Sequence, residues 1–200
     1  MRPDPEALVP IPAVLIPVKA FHDAKARLAP ALDAPHRSQL AREMATVVVR
    51  AASPLPVFVV CDDPAVEDWA VSVGAKVIWR PGRGLNGAVT DGVASLAAQG
   101  FGRVVVAHAD LPHALDLAWA AEFDGVTLVP DRRDDGTNVA CVPSGVGFTF
   151  AYGAASFAAH CAEAERLDLP LRVVREQRLG WDVDVPDDLA EPAWLADPLS

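Results

Sequence analysis

Carboxylates at the ends of apolar segments are the first residues in this sequence that could do chemistry. Asp110 ends the apolar run "RVVVAHADLP", and Asp182 and Asp184 lie two residues apart in "GWDVDVP". If the second segment is a strand, both of its carboxylates project from one face, because side chains alternate along a strand. Converging carboxylates supply the oxygen ligands that Mg²⁺ prefers. The pattern predicts a magnesium site of Asp110, Asp182 and Asp184, with helix capping as the alternative for Asp184.

A cluster of cations follows the first apolar segment of a chain that is otherwise acidic. Lys19, Lys25 and Arg27 lie close together in "PVKAFHDAKARLAP", opposed only by Asp23. A lysine ammonium and an arginine fork both suit phosphate oxygens, so the cluster predicts contacts with the phosphates of a nucleotide. A solvated loop whose cations balance an acidic neighbour is the alternative interpretation.

A glycine-rich turn follows the third apolar segment. Gly82, Gly84 and Gly87 spell G-x-G-x-x-G, and Asp110 stands 23 residues beyond the last of them. This imitates the fingerprint of NAD-dependent enzymes, but that fingerprint belongs after the first strand. Alternatively, the glycines let the backbone approach a flat base, whose edge Asn86 could read with its amide. A turn that caps the following helix is the third interpretation.

Hydroxyl and glycine residues in the second half of the chain could bind a small anion. Thr137 follows the polar stretch "PDRRDDG", and Gly153 and Ser156 stand where the sequence predicts that a helix begins. The amino end of a helix offers free amides and a positive dipole to anions. An ordinary Asp-Gly turn and ordinary helix caps are the competing explanations.

The composition limits the class of protein. The 200 residues are 52% hydrophobic and carry a formal net charge of −10, which argues against a nucleic-acid or anionic-membrane partner. No apolar run reaches the ~18 residues that span a bilayer, and the start lacks the pattern of a signal peptide. We expect a soluble cytoplasmic protein whose Cys61, Cys141 and Cys161 are reduced thiols, mostly in the core.

Apolar segments alternate with longer segments of helical period, which predicts an α/β fold with one mainly parallel, mixed sheet and helices on both faces. The predicted strands are 13–18, 56–61, 76–80, 103–108, 125–130, 139–143, 171–176 and the region 180–186. The predicted helices are 35–52, 63–73, 85–99, 113–122, 153–167 and 186–191. We expect residues 1–200 to form a single domain, with a flexible N-terminal extension at 1–12. Ligands of such sheets gather at the carboxyl ends of the strands.

The motifs occur together in the order of a known family. The stretches "LIPVKAFHDAKARL", "PGRGLNGAV", "HADLP", "DRRDDGTNV", "YGAASF" and "DVDVPDDL" resemble those of the 2-phospho-L-lactate guanylyltransferases and phosphoenolpyruvate guanylyltransferases of deazaflavin coenzyme F-420 biosynthesis. The resemblance covers about residues 13 to 191. It implies a Rossmann-like nucleotidyltransferase fold of the MobA kind. It also implies the transfer of GMP from GTP to a small phosphorylated acid, with release of pyrophosphate.

The resemblance also implies roles for individual residues. Asp110 and Asp182 match the magnesium-binding pair, with Asp184 as a helper, and Lys25 is implied to act in catalysis. GTP is implied to contact Lys19, Lys25, Arg27, Gly84, Asn86 and Gly87, with the glycine turn near guanine. The phosphorylated acid is implied to contact Thr137, Gly153 and Ser156. The "DGTNV" here differs from the Gly-Thr-Gly-Thr form of some members, which bears on the choice of acid.

Several alternatives stay open from the sequence. Another nucleotidyltransferase of this fold, acting on molybdopterin or a sugar nucleotide, is the strongest rival. An NAD-dependent enzyme and a nucleotide-sensing module without catalysis are weaker ones. Phosphoenolpyruvate is favoured over 2-phospho-L-lactate and 3-phosphoglycerate only by the alanine-, proline- and arginine-rich composition. The sequence leaves the oligomeric state open, a homodimer included, and gives His108 no direct role.

Overall fold

The computed structural model describes residues 11–190 and 192–196. Most of the predicted N-terminal extension therefore lies outside the described residues. Its last residue, Pro12, is already the first residue of a strand.

Strands and helices alternate along the chain as the sequence predicts. The strands are β1 (Pro12–Pro17), β2 (Val57–Cys61), β3 (Lys76–Trp79), β4 (Arg103–Ala107), β5 (Val126–Pro130), β6 (Thr137–Pro143) and β7 (Leu171–Val173). The helices are α1 (Ala34–Ala51), α2 (Pro64–Ser72), α3 (Gly84–Ala98) and α4 (Ser156–Arg166). Short 3₁₀ turns cover Phe21–Asp23, Ala26–Leu28, Ala118–Ala121, Pro186–Leu189 and Ala193–Ala196.

All seven strands form one sheet in the order β3-β2-β1-β4-β6-β5-β7. β6 runs antiparallel to both of its neighbours, and the other pairs are parallel. The prediction of a mainly parallel, mixed sheet is therefore confirmed. The chain leaves β1 toward β2 on one side, while β4 adds to the other side of β1. The crevice at the carboxyl ends of β1 and β4 is thus the switch point at which ligands of such sheets bind.

The core has two layers, one on each face of the sheet. Alternate residues of β1 enter opposite layers: Val14 and Ile16 pack with α1 and α2, while Ala13 and Leu15 pack with α3 and α4. α3 approaches β1 so closely that a Cβ added at Gly92 would lie 2.7 Å from the Leu15 side chain. The close packing keeps the α3 amino end near the crevice.

The predicted helix at 113–122 is wrong. Only a short 3₁₀ turn forms there, at Ala118–Ala121. Leu111, Ala114 and Leu117 are buried at intervals of three residues, which imitates a helical period. The backbone is irregular instead, because the Leu117 amide donates to the carbonyl of Ala51 at the end of α1.

The carboxyl-terminal predictions also need correction. The region 180–186 forms no strand, and the predicted strand at 171–176 is only the three residues of β7. The predicted helix at 186–191 is a 3₁₀ turn at Pro186–Leu189, and residue 191 lies outside the described residues. Amides in this region donate to isolated acceptors rather than to a neighbouring strand: the Val183 amide, for example, donates to the Asp110 carbonyl.

Two further expectations concern the whole chain. Cys61, Cys141 and Cys161 are free thiols; the first two are buried and the third is partly exposed. Within residues 11–190 and 192–196, no helix is long and apolar enough to cross a membrane.

Candidate active site

A cavity of about 700 Å³ opens at the switch point between β1 and β4. Six of the residues predicted from the sequence line it: Lys19, Lys25, Arg27, Gly84, Asp110 and Asp184. They come from four separate parts of the chain. The fold therefore brings the predicted cations and two of the predicted carboxylates to one place.

Lys25 is the central cation of this cavity. It lies between two 3₁₀ turns and has a left-handed backbone with φ 55°, which turns its side chain back toward the sheet. Its Nζ donates to Asp110 Oδ2 at 2.5 Å and to Asp184 Oδ1 at 3.1 Å. Arg27 is more peripheral: its side chain is 76% exposed and its Nη1 lies 3.7 Å from Asp184 Oδ2.

The charges of this group hold one another ionised. Burial alone would lower the pKa of Lys25, but the charges and hydrogen bonds of Asp110 and Asp184 outweigh it and raise that pKa above its usual value. Burial likewise works to raise the pKa of Asp110, yet Lys25 and the nearby His108 leave it below the usual value. At neutral pH the pair is therefore an ammonium and a carboxylate.

Asp182 does not line the cavity, and its side chain makes no hydrogen bond to a cation among the described residues. Its residue surface is 8% exposed, and its Oδ1 makes no hydrogen bond within the described residues. Arg132 Nη1 is 3.6 Å from this atom, beyond hydrogen-bonding distance. Burial, and next the charge of Asp110, raise the pKa of Asp182. We call Lys25, Asp110, Asp182 and Asp184 the charged cluster.

Asp188 anchors the segment that carries Asp182 and Asp184, and the sequence analysis missed it. Its side chain is 1% exposed. Its Oδ2 accepts the amides of Asp184 and Val185 at 2.8 and 2.9 Å. Its Oδ1 accepts hydrogen bonds from Arg132 and Arg133. The only signal in the sequence was a carboxylate shortly after Pro186, where a helix start was expected.

The loop between β5 and β6 is held by hydrogen bonds within itself, and it carries Arg132 and Arg133. Asp131 accepts the amides of Arg133 and Asp135 on Oδ1 and that of Gly136 on Oδ2. Arg132 then reaches across to stack 4.2 Å from the centre of the Trp181 ring and to donate to the Asp182 carbonyl. The polar residues of this loop thus fix the carboxylate-bearing segment rather than forming a plain surface turn.

The glycine turn follows β3, which is an edge strand of the sheet. A dinucleotide fingerprint would instead follow the first strand. Gly84 begins α3 and lines the cavity, whereas Gly87 does not. The amide of Asn86 is already used: its Nδ2 donates to the Tyr152 carbonyl at 3.2 Å, and its Oδ1 accepts the Tyr152 amide at 2.7 Å. The geometry therefore gives Asn86 a structural contact, and its contact with the base stays a prediction.

Two other polar residues line the cavity near the turn and were not predicted. Asp62 follows β2, and Arg80 follows β3. The signal that could have found them is their position, since each is the first residue after a parallel strand. Gly84 and Leu85 line the same cavity.

The residues predicted to bind the acid lie outside that cavity, in a second cluster. β4 and β6 pair through Ala107 and Val139, and the His108 amide donates to the Asn138 carbonyl at 3.0 Å. The same register sets Thr137 opposite Ala109, one residue before Asp110. Thr137 therefore stands at the same edge of the sheet as the charged cluster.

Thr137 and Ser156 are buried together with His160. The Thr137 amide donates to Ser156 Oγ at 3.0 Å, and Thr137 Oγ1 lies 2.9 Å from His160 Nδ1. We call Thr137, Ser156 and His160 the hydroxyl cluster. Gly153 is exposed, precedes α4 and has φ 134°, a conformation that favours glycine.

Three amides at the start of α4 already have acceptors, which leaves fewer of them for an anion than a helix start usually offers. Asp135 Oδ1 accepts the Ala155 amide at 3.1 Å, and its carbonyl accepts the Phe157 amide at 3.0 Å. The Ser156 amide donates to the Gly153 carbonyl. An anion at this place would therefore depend on side-chain hydroxyls more than on the helix amides.

His108 lines the cavity, although the sequence analysis assigned it no direct role. Its ring packs 4.8 Å from that of Tyr152, and its Nε2 is buried without a hydrogen bond inside the described part of the chain. Tyr152 in turn packs edge-on against His160 at 4.9 Å. An aromatic stack therefore connects the cavity with the hydroxyl cluster.

Comparison with known proteins gives a consistent family. A model of guanylyl transferases described as CofC-like matches residues 12–194. A phosphoenolpyruvate guanylyltransferase from Sphaerobacter thermophilus is 36% identical over 188 residues, which cover 90% of this chain and 91% of the relative.

Solved structures support the fold alone, because their identity to this chain is low. A protein from Desulfovibrio desulfuricans G20 assigned as a nucleotide-diphospho-sugar transferase superposes with a TM-score of 0.70 at 16% identity, covering 87% of this chain and 82% of that one. A nucleotidyl transferase from Methanothermobacter gives 0.60 at 12% identity, covering 89% and 94%. The predicted nucleotidyltransferase fold is confirmed.

Proposed function

This chain belongs to the CofC-like guanylyl transferase family, and we propose that it transfers GMP from GTP to phosphoenolpyruvate with release of pyrophosphate. The observation that carries the proposal is the contact of Lys25 with the carboxylates of Asp110 and Asp184 in a cavity at the sheet's switch point. The relative from Sphaerobacter thermophilus is named for phosphoenolpyruvate, which favours that acid over 2-phospho-L-lactate and 3-phosphoglycerate.

The carboxylates fit a magnesium ion. Asp110 Oδ1 and Asp182 Oδ1 are both buried without a hydrogen bond among the described residues, and buried carboxylate oxygens need a partner. Over the described ranges, no three His, Cys, Asp or Glu side chains converge to hold a metal unaided. Mg²⁺ commonly takes one or two carboxylates and completes its shell with water and phosphate oxygens, so Asp110 and Asp182 would hold it, with Asp184 beside them.

Bound there, Mg²⁺ would supply positive charge against the phosphate oxygens of both substrates. The chain's own cations act in the same direction. Lys25 keeps its proton at neutral pH, and two of its three N–H groups donate to Asp110 and Asp184. The third is available to a phosphate. Lys19 and Arg27 line the same cavity and would bind the phosphates that become pyrophosphate.

The transfer needs no catalytic base from the protein. An oxygen of the acid's phosphate is already anionic, and it forms a bond to the α-phosphorus of GTP as the α–β bridging bond breaks. The electron pair of that bond leaves with pyrophosphate. The residues therefore act by orienting two polyanions in line and offsetting their repulsion.

The acid would bind beside the charged cluster, at Thr137, Gly153 and Ser156. The support is the register that carries Thr137 to the edge occupied by Asp110. Gly84 at the start of α3 would lie near guanine, with Asp62 and Arg80 in the same part of the cavity. A role in coenzyme F-420 biosynthesis is part of the proposal and rests on the resemblance. A cytoplasmic location rests on the composition, and a homodimer stays one of the possible oligomeric states.

The proposal is tested by pyrophosphate release from GTP. Each of phosphoenolpyruvate, 2-phospho-L-lactate and 3-phosphoglycerate is supplied with and without Mg²⁺, and ATP and CTP replace GTP as controls. We expect fast release only with GTP, Mg²⁺ and an acid, and the highest kcat/KM with phosphoenolpyruvate. Binding of GTP without pyrophosphate release from any acid would instead indicate a nucleotide-sensing module.

A further inference from the structure

A chain of hydrogen bonds leads from the backbone at Ala151 to the hydroxyl cluster. The Ala151 amide donates to His160 Nε2 at 3.0 Å. His160 Nδ1 lies 2.9 Å from Thr137 Oγ1, and the Thr137 amide donates to Ser156 Oγ at 3.0 Å. His160 and Thr137 are 0% and 1% exposed, so water does not substitute freely for any of these partners.

The first of these bonds fixes the proton on the imidazole ring. A backbone amide is always a donor, so Nε2 must accept and carries no hydrogen. Burial, with the nearby charge of His108 as the next cause, lowers the pKa of His160 to about 4, so the ring is neutral at pH 7. Its single N–H is then on Nδ1, which donates to Thr137 Oγ1.

The direction of that bond decides what the two hydroxyls can do. Thr137 Oγ1 and Ser156 Oγ both accept a hydrogen bond from the protein, so each still has its own proton to donate. Among residues 11–190 and 192–196 neither hydroxyl donates to an acceptor. Buried donors without acceptors are rare in folded proteins. We infer that a ligand supplies the acceptors for these two hydroxyls.

We propose that His160 is a positioning residue that sets Thr137 as a hydrogen-bond donor and so selects an anionic group at the acid site. The inference rests on the proposed function, because it assumes that the phosphorylated acid binds at Thr137. A hydroxyl that accepts from His160 can satisfy a phosphate or carboxylate oxygen. A hydrogen bond to a charged oxygen is stronger than one to a neutral oxygen, so the arrangement favours the acid over a neutral analogue.

Two amide substitutions separate this role from a merely structural one. In His160→Asn, the amide nitrogen can stand near the position of Nδ1 and donate to Thr137, but the Ala151 amide loses its acceptor. In His160→Gln, the longer side chain can offer its oxygen to Ala151, but the donor to Thr137 is lost. We expect His160→Gln to raise the KM for phosphoenolpyruvate about tenfold and His160→Asn to change it less than about threefold. The KM for GTP stays near wild type in both. The reverse order of the two variants would overturn the inference.

Substitution of Thr137 distinguishes a failure of this inference from a failure of the proposed acid site. Thr137→Val keeps the shape and removes the hydroxyl, and we expect it to raise the KM for phosphoenolpyruvate about tenfold as well. If His160 acts through that hydroxyl, His160→Gln adds no further increase in the Thr137→Val background. An unchanged KM in Thr137→Val would instead contradict the acid site itself.

The position of the proton on His160 can also be measured directly, without an activity assay. In protein with ¹⁵N-labelled histidine at pH 7, the spectrum should show His160 neutral with its hydrogen on Nδ1. Substitution of each of the other four histidines identifies the His160 signal as the one that remains. A hydrogen on Nε2, or a charged ring, would overturn the inference even if both amide variants failed to fold.

Discussion

The charged cluster and the hydroxyl cluster lie at the same edge of the sheet, but they hold their polar groups in opposite ways. Lys25 bonds Asp110 and Asp184 with full charges in a cavity open to ligands. Thr137 and His160 form a neutral pair that is almost wholly buried. The charged cluster contains oppositely charged partners. In the hydroxyl cluster, the Ala151 amide fixes the proton of His160 on Nδ1 and so fixes which groups donate.

This difference shows which part of the site must rearrange when substrates bind. A metal ion and phosphates compete with Lys25 for the carboxylates, so contacts in the charged cluster change with each ligand. The hydroxyl cluster needs no change of charge, because its donors are set in the ligand-free protein. We therefore expect substitutions in the charged cluster to affect kcat most and those in the hydroxyl cluster to affect the KM for the acid.

The largest expected effect is the loss of activity in Asp110→Asn. The amide removes the negative charge that faces Lys25 and would hold Mg²⁺, and several kcal/mol of transition-state stabilisation correspond to a loss of about 10³-fold in kcat. The fold should persist, because Asn fits the same space. Asp68→Asn, at an exposed carboxylate in α2, is the matched control. Turnover like that of wild type in Asp110→Asn would remove the charged cluster from the mechanism.

The next effect concerns the anchor of the charged cluster. Asp188→Ala leaves Arg132, Arg133 and the amides of Asp184 and Val185 without their acceptor, and breaking a buried ion pair costs about 3–5 kcal/mol. Urea denaturation should show a lower free energy of unfolding. The neighbouring exposed residue offers the control: Asp187→Ala should stay within about 0.5 kcal/mol of wild type. Equal stability of the two variants would contradict the anchoring role.

A smaller effect is the pH dependence of stability that His160 of the hydroxyl cluster contributes. The pKa of His160 is lowered from 6.5 to about 4, so the folded protein binds this proton less tightly than the unfolded chain. The free energy of unfolding should therefore fall as the pH drops from about 6.5 to about 4, by up to about 1.4 kcal/mol per pH unit. Denaturation of wild type and His160→Asn at several pH values isolates this contribution, because every other titratable group is present in both proteins. A constant difference between the two proteins would show that His160 is not neutral and buried.

The smallest expected effect lies at the rim of the charged cluster. Arg27 is largely exposed and 3.7 Å from Asp184, so Arg27→Ala should change the free energy of unfolding by less than about 1 kcal/mol. The loss of a phosphate contact should still raise the KM for GTP about threefold to tenfold. Arg50→Ala, at another exposed arginine that does not line the cavity, should change neither quantity. A KM effect on the acid rather than on GTP would reverse the assignment of the two substrates.

The charged cluster was largely predictable because sheet topology puts strand ends together. Asp110 follows β4 and Lys25 follows β1, and neighbouring parallel strands end at the same edge. The carboxyl-terminal segment was assigned to a strand, but the presence of its carboxylates near Asp110 did not depend on that error. Asp188 was missed because its partners, Arg132 and Arg133, lie more than fifty residues earlier.

The hydroxyl cluster was predicted only in part. Thr137 and Ser156 are small polar residues next to turns and stand out in a sequence, whereas His160 is one of several histidines in a helical period. Its role depends on the hydrogen bond that its Nε2 accepts from the Ala151 amide. No local pattern in the sequence specifies that contact. The contact of the Asn86 amide with the Tyr152 backbone, 66 residues later, is likewise specified by no local pattern.

The central claim is that this chain moves GMP, not a terminal phosphate, onto the acid. GTP labelled at the α-phosphate or, in a parallel reaction, at the γ-phosphate is incubated with the protein, Mg²⁺ and phosphoenolpyruvate, and the products are separated. The proposed function predicts α-label in a product that contains the acid, γ-label only in pyrophosphate, and one pyrophosphate for each product formed. A γ-label on the acid, or α-label that remains in GTP and GDP, would contradict it.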